Sequence, residues 1–170
     1  EQVKSDGTSD RSGGVVEQKA LKQWFFNITK YSEQLLNFEN LNWPSKTIRM
    51  QKNWIGRSEG AYIEFEVENC KSSIQVFTTR PDTLFGCTYL VLSPEHPDLE
   101  KIVISSQREI VDRYCKESGI KNEIQRLDNQ KSKTGVFTGS YALNPVNNQR
   151  VPIWVADYVL MSYGTGSIMA

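Results

Sequence analysis

The sequence predicts a mixed α/β domain built on a barrel-like sheet. Three observations lead there. Apolar and polar residues alternate over 61–68, and "SIQVFTT" returns as a second strand; helix-period segments are inserted between further strand-like runs; glycine and proline mark the turns. No internal repeat is apparent.

At 170 residues the chain has room for one domain with a real core. Its 20 basic and 20 acidic side chains balance, so no cation excess is available to neutralise phosphates. A nucleic-acid role therefore has to rest on specific residues. Cys70, Cys87 and Cys115 lie far apart without a CxxC, which reads as reduced thiols of an intracellular protein. With His96 the one imidazole, no Cys/His zinc site, and no metal site at all, is expected. The opening stretch, "EQVKSDGTSDRSGG", has neither an initiator Met nor an apolar run. It reads as a mobile polar tail of a piece cut from a longer chain, neither a signal peptide nor a membrane anchor.

Taken in order, Leu21, Trp24, Phe25, Ile28, Tyr31, Leu35 and Leu36 recur at spacings of three and four, which predicts an amphipathic helix over 17–38. Pro44 opens a second helical stretch through Met50. Ala61, Ile63, Phe65 and Val67 alternate with Tyr62, Glu64, Glu66 and Glu68. With "ENCKSS" as the turn and "SIQVFTT" as the return, residues 61–79 read as a hairpin. "CTYLVLS" is a further strand, ended by Pro94 and Pro97. Helical pieces follow near 98–104 and 107–118, then a polar, loop-rich middle, "GIKNEIQRLDNQKSKTG". The tail "RVPIWVADYVLMSYGTGSIMA" reads as strand, strand, glycine turn and apolar run.

Three short motif matches fail on context. Asn27-Ile28-Thr29 lies inside the first expected helix of a chain without a secretory signal. Ser118 to Lys121 and Lys133-Thr134-Gly135 imitate a penicillin-binding signature but lack its middle element. "GTGSIM" has Met169 where a dinucleotide fingerprint needs its third glycine.

The segment that draws chemistry is "FTTRPDTLFG", residues 77–86. Pro81 fixes a turn, and Asp82 can accept from nearby backbone amides. Arg80 offers a planar donor fork suited to a carboxylate or phosphate. Thr78, Thr79 and Thr83 bring hydroxyls that can orient water and methyls that can block space. No serine–histidine or cysteine–histidine pairing is in evidence, which argues against a covalent nucleophile. From the residues alone, a polar strand-to-turn corner with no chemistry is the reading that explains them most simply.

"TTRPDTLFGCTYLVLSPEHP" resembles the threonine-rich region of the editing domain in leucyl-tRNA synthetases. "YVLMSYGTGSIMA" resembles that family's "GTG" segment. "LKQWFFNITKYSEQLLN" and "MQKNWIGRSEG" resemble the stretch leading from the catalytic core into the editing insert, so the resemblance spans the chain in order. The related isoleucyl and valyl enzymes carry different residues after the proline, and "PDTLFG" and "NWIGRSEG" resemble the leucyl enzyme in its bacterial or organellar form.

The resemblance implies the barrel-like editing fold of the class I leucyl, isoleucyl and valyl enzymes. Residues 1–53 would be the segment of the synthetic core and 54–170 the editing domain. It implies a parent leucine–tRNA ligase that uses ATP with Mg at a site outside this chain, and hydrolysis of mischarged tRNA for leucine that needs no cofactor. Thr78 and Thr79 would bind the ester and position water, and Thr83 would crowd out leucine. Arg80 would help arrange the carboxylate side of the pocket and the terminal nucleotide, and Asp82 would take part in binding the substrate. Tyr163, Gly164, Thr165 and Gly166 would form the opposing wall, with Met169 near the terminal adenosine. Partners would be the 3′ end of leucine tRNA and the rest of the synthetase, with no membrane, in a bacterial cytoplasm or an organelle. In the family an aspartate in a segment after "GTG" grips the substrate ammonium, and Ala170 stands just before that segment. The alternative is a module that binds the tRNA 3′ end, or is purely structural, and does no chemistry.

Overall fold

A computed structural model of the chain describes residues 3–4, 6–17, 21–68, 70–121, 126, 133–162 and 164–170. They fall into two compact units, 19–59 and the combination of 1–18 with 60–170.

In the 19–59 unit, the helix expected over 17–38 does not form. Residues 21–27 have no regular structure, and two short 3-10 turns follow, Ile28–Tyr31 and Gln34–Leu36. Trp24 and Phe26 are exposed almost completely. An isolated helix of this length is marginal unless its apolar face is packed, and aromatic and β-branched residues are middling helix formers. The second expected helix does form, as α1, Ser45–Ile55. It starts behind Pro44 and runs past Met50 to end at Gly56.

The larger unit is a six-stranded sheet with helices inserted into it. Its elements are β1 (Ala61–Val67), β2 (Ser73–Thr78), β3 (Leu90–Leu92), α2 (Leu99–Ile102), α3 (Arg108–Ile120), β4 (Val136–Leu143), β5 (Arg150–Val155) and β6 (Ser167–Met169). The strand order is β2-β1-β4-β5-β3-β6. The expected hairpin is present, with Ala61 opposite Thr78 and Glu66 opposite Ser73. Neighbours pair antiparallel except β3 with β5. Residues 3–17 add two isolated bridges, Val3 with Ser9 and Thr8 with Val15.

Strand alternation sorts the side chains. Ile63, Phe65, Val67, Ile74, Val76, Leu90, Leu92, Val151, Ile153 and Val155 point inward and are buried, whereas Tyr62, Glu64 and Glu66 face out. The two edge strands approach each other. Ser167 Oγ donates to the Gln75 carbonyl at 2.5 Å, so a side chain of β6 reaches the backbone of β2 and nearly closes the sheet into a barrel.

Two tail and middle expectations come out differently. "ADYVLM" is not a strand. Val159 N–H turns back onto the Ala156 carbonyl, and Val159 packs with Val91 and Ala156 in a small separate cluster. The polar middle lies mostly outside the described residues, but β4, unassigned from the sequence, follows it in the centre of the sheet.

Candidate functional site

The threonine loop leaves β2 at Thr78 and returns to the sheet at β3. Pro81 to Gly86 form a 3-10 turn, for which proline's fixed φ is suited. Within the loop the polar side chains hold one another. Thr78 Oγ1 accepts from Arg80 N–H at 3.0 Å, and Thr83 Oγ1 donates to the Arg80 carbonyl at 2.8 Å. The Arg80 guanidinium grips the Asp82 carboxylate with both arms, at 3.0 and 2.9 Å.

Asp82 takes the Arg80 fork as its main partner, a bidentate charged pair, beside the backbone hydrogen bond expected from the sequence. The Arg80 hydrogen bond is the first cause holding the Asp82 carboxyl below the usual aspartate range, and Asp82 in turn raises Arg80. The pair is well exposed, so it organises the loop rather than stabilising the fold.

Thr83 is exposed, with its hydroxyl turned into the loop. Thr79 is also exposed, and Thr78 is half-buried. The hydroxyls of Thr78 and Thr83 are engaged by loop backbone and not by the sole histidine. His96 Nδ1 accepts from Asp98 N–H at 3.2 Å, and burial lowers its pKa against the opposing pull of Asp98.

Two anchors fix the loop to the barrel. Thr88 donates to the Ala170 carbonyl from both its N–H (2.6 Å) and its hydroxyl (3.1 Å), so the loop arches over the end of β6. Beneath the 3-10 turn, fully buried Asn144 donates its amide to the Leu84 carbonyl at 2.8 Å. Its Oδ1 accepts from Val146 N–H at 3.1 Å. Asn144 was missed from the sequence. The available signal was the turn-like "NPVNN", which marks a loop between two strands and offers an Asn able to cap it.

The glycine turn enters β6 from the other side. Gly164 leans on β2: a Cβ at its position would lie 3.7 Å from Phe77 Cβ. Thr165 Oγ1 shares a 2.8 Å hydrogen bond with the same Ser167 hydroxyl that reaches Gln75. Gly166 has φ +72°, and its carbonyl accepts from Ser93 N–H at 2.8 Å. The threonine loop and the glycine turn therefore flank one seam, between β2 and β6, and are joined through those strands. Met169 sits opposite Leu90 and packs its half-buried side chain against the main core. Tyr163 lies outside the described residues. Among the described residues no group of three or more metal-ligating side chains converges.

Fold and site together define a barrel-like domain with a polar, hydroxyl-bearing loop held by its own hydrogen bonds beside a glycine turn. Residues 52–170 match the family model described as leucyl-tRNA synthetase, editing domain, and the chain belongs to that family. It is also similar to the LeuRS in a crystal structure of the ternary complex of Agrobacterium radiobacter K84 agnB2 LeuRS-tRNA-LeuAMS, with 41% identity and a TM-score of 0.76. The match covers 99% of this chain and 21% of that one, so the chain spans about a fifth of that protein's length.

Proposed function

We propose that this chain carries the threonine loop of a hydrolytic editing site in a leucine–tRNA ligase, acting on mischarged tRNA for leucine in a bacterial cytoplasm or an organelle. The observation that supports this best is the loop's self-contained hydrogen bonding, from Thr78 through Arg80 to Asp82 and Thr83. A site that positions water instead of forming a covalent bond needs such groups fixed before substrate arrives.

Thr78 and exposed Thr79 hold the ester and the attacking water. Thr83, its hydroxyl tied back, offers a methyl against the substrate side chain and so rejects leucine. A methylene's worth of shape discrimination is only about 1–3 kcal/mol, which is why a ligase for a small apolar amino acid uses a second sieve. The glycine turn leaves the opposite wall open to the terminal nucleotide. No step in this reading draws on ATP.

The test uses the complete synthetase, presented with isoleucyl-tRNA and leucyl-tRNA for leucine. The expected result is clearance of isoleucine with leucine spared, and loss of that distinction in Thr83→Ala. If neither ester is hydrolysed while leucylation proceeds normally, the loop only binds the tRNA end or shapes the domain.

A further inference from the structure

The glycine turn is held by two loops that leave the sheet side by side, one after β3 and one after β5. The β3 loop supplies Ser93, whose N–H bonds the Gly166 carbonyl at 2.8 Å. It also supplies His96, whose Cδ2 lies 3.6 Å from where a Gly166 Cβ would stand. The β5 loop runs through Asp157 and Val159 to Met161, whose sulfur abuts Gly166, and then into the turn itself.

One side chain joins these loops. The Arg126 guanidinium donates from Nε to the Asp157 carbonyl at 2.5 Å and from Nη2 to the Val159 carbonyl at 3.1 Å. It grips the Glu95 carboxylate from Nη1 and Nη2 at 2.8 and 3.3 Å. Glu95 accepts in turn from the Ser93 hydroxyl at 2.5 Å. The Arg126 side chain is only 7% exposed. Burial alone would push the Glu95 carboxyl up, but the hydrogen bonds from Arg126 and Ser93 outweigh it and hold it below the usual range. A buried guanidinium with its donors spent on two main-chain carbonyls and a carboxylate is a specific, planar clamp, and a lysine cannot copy that fork.

We infer that Arg126 is a positioning residue for the proposed editing site, fixing the glycine turn by clamping together the loops after β3 and β5. The inference rests on the hydrolytic reading above. Arg126 touches no substrate; it acts through Ser93 and Val159 on where Gly166 stands. Nothing in the polar stretch around it marks it out in the sequence, since its partners lie about thirty residues away on either side.

The test compares the complete synthetase with its Arg126→Gln and Arg126→Lys variants. For isoleucyl-tRNA hydrolysis by Arg126→Gln we expect KM to rise on the order of tenfold, the loss of about one charge-assisted hydrogen bond. We expect kcat to stay within about twofold, because the turn lines the substrate and does not attack it. Leucylation is unchanged, and Arg126→Lys falls between the variant and the parent. Amide hydrogen exchange at Ser93 quickens in Arg126→Gln, a readout independent of hydrolysis. A fall in kcat at unchanged KM, or unchanged Ser93 exchange, overturns the clamp. A parent enzyme that hydrolyses neither ester while Ser93 exchange still quickens overturns the hydrolytic reading and leaves the clamp standing.

Discussion

Asn144→Ala removes the support beneath the threonine loop without touching the loop itself. The backbone bonds of Asn144, its N–H to the Gln149 carbonyl and its carbonyl from Asn148 N–H, both at 2.9 Å, survive the change. Two side-chain bonds are lost, to the Leu84 carbonyl and from Val146 N–H. Neither group is orphaned completely. Leu84 O keeps the Cys87 N–H at 3.2 Å, and Val146 is 43% exposed, so its N–H can turn to water. The cost therefore belongs at the low end of the range for a buried polar contact, about 1–2 kcal/mol. Asn144→Asp keeps the shape but aims a carboxylate oxygen at a carbonyl, so it costs more than alanine does. Urea unfolding at matched m values reads the difference. A loss for Asn144→Ala under about 0.5 kcal/mol, typical of an uninvolved surface site, refutes the support role. So does an aspartate variant no worse than the alanine.

Two further outcomes follow from the same geometry. In Gly166→Ala, the left-handed backbone costs about 1–2 kcal/mol. Met161 is 41% exposed and can swing aside, so the double variant with Met161→Ala regains little melting temperature; full recovery would show that the clash and not the backbone dominates. For Asp82, the folded carboxyl lies below its unfolded value, so its contribution is present above the ordinary aspartate range and disappears as pH falls through the folded pKa. A carbon-detected NMR titration should place its midpoint low and return it to the ordinary value in Arg80→Gln, and an unmoved midpoint would mean that Arg80 is not the cause.

Legibility in the sequence followed where the interior is apolar. The β1–β2 hairpin showed itself because Ile63, Phe65, Val67, Ile74 and Val76 fill the barrel and alternate with polar residues. β4 stayed hidden because its buried positions are Thr138, Ser140 and Ala142. The Thr138 hydroxyl donates to the Ile153 carbonyl at 2.7 Å and the Ser140 hydroxyl to the Ile102 carbonyl, so the strand is inward-facing without being hydrophobic. Gly139, at φ +84° where a Cβ would collide with Ile104, breaks the register besides. The helix expected over 17–38 fails the other way, since its periodicity is real but most of its apolar side chains remain exposed. The site divided likewise. The threonine loop is a continuous stretch and could be read, whereas Asn144 and Arg126 act across some 60 and 30 positions on main-chain carbonyls, which leave no local pattern.

The Ser167–Gln75 hydrogen bond also alters what the strand edges present. A sheet that stops short of closure leaves two strand edges, and bare edges invite pairing with other chains. Here the Ser167 hydroxyl occupies one acceptor of the β2 edge and holds β6 against it. The small hydroxyl beside the glycine turn thus takes up a carbonyl that a bare β2 edge would offer to another strand.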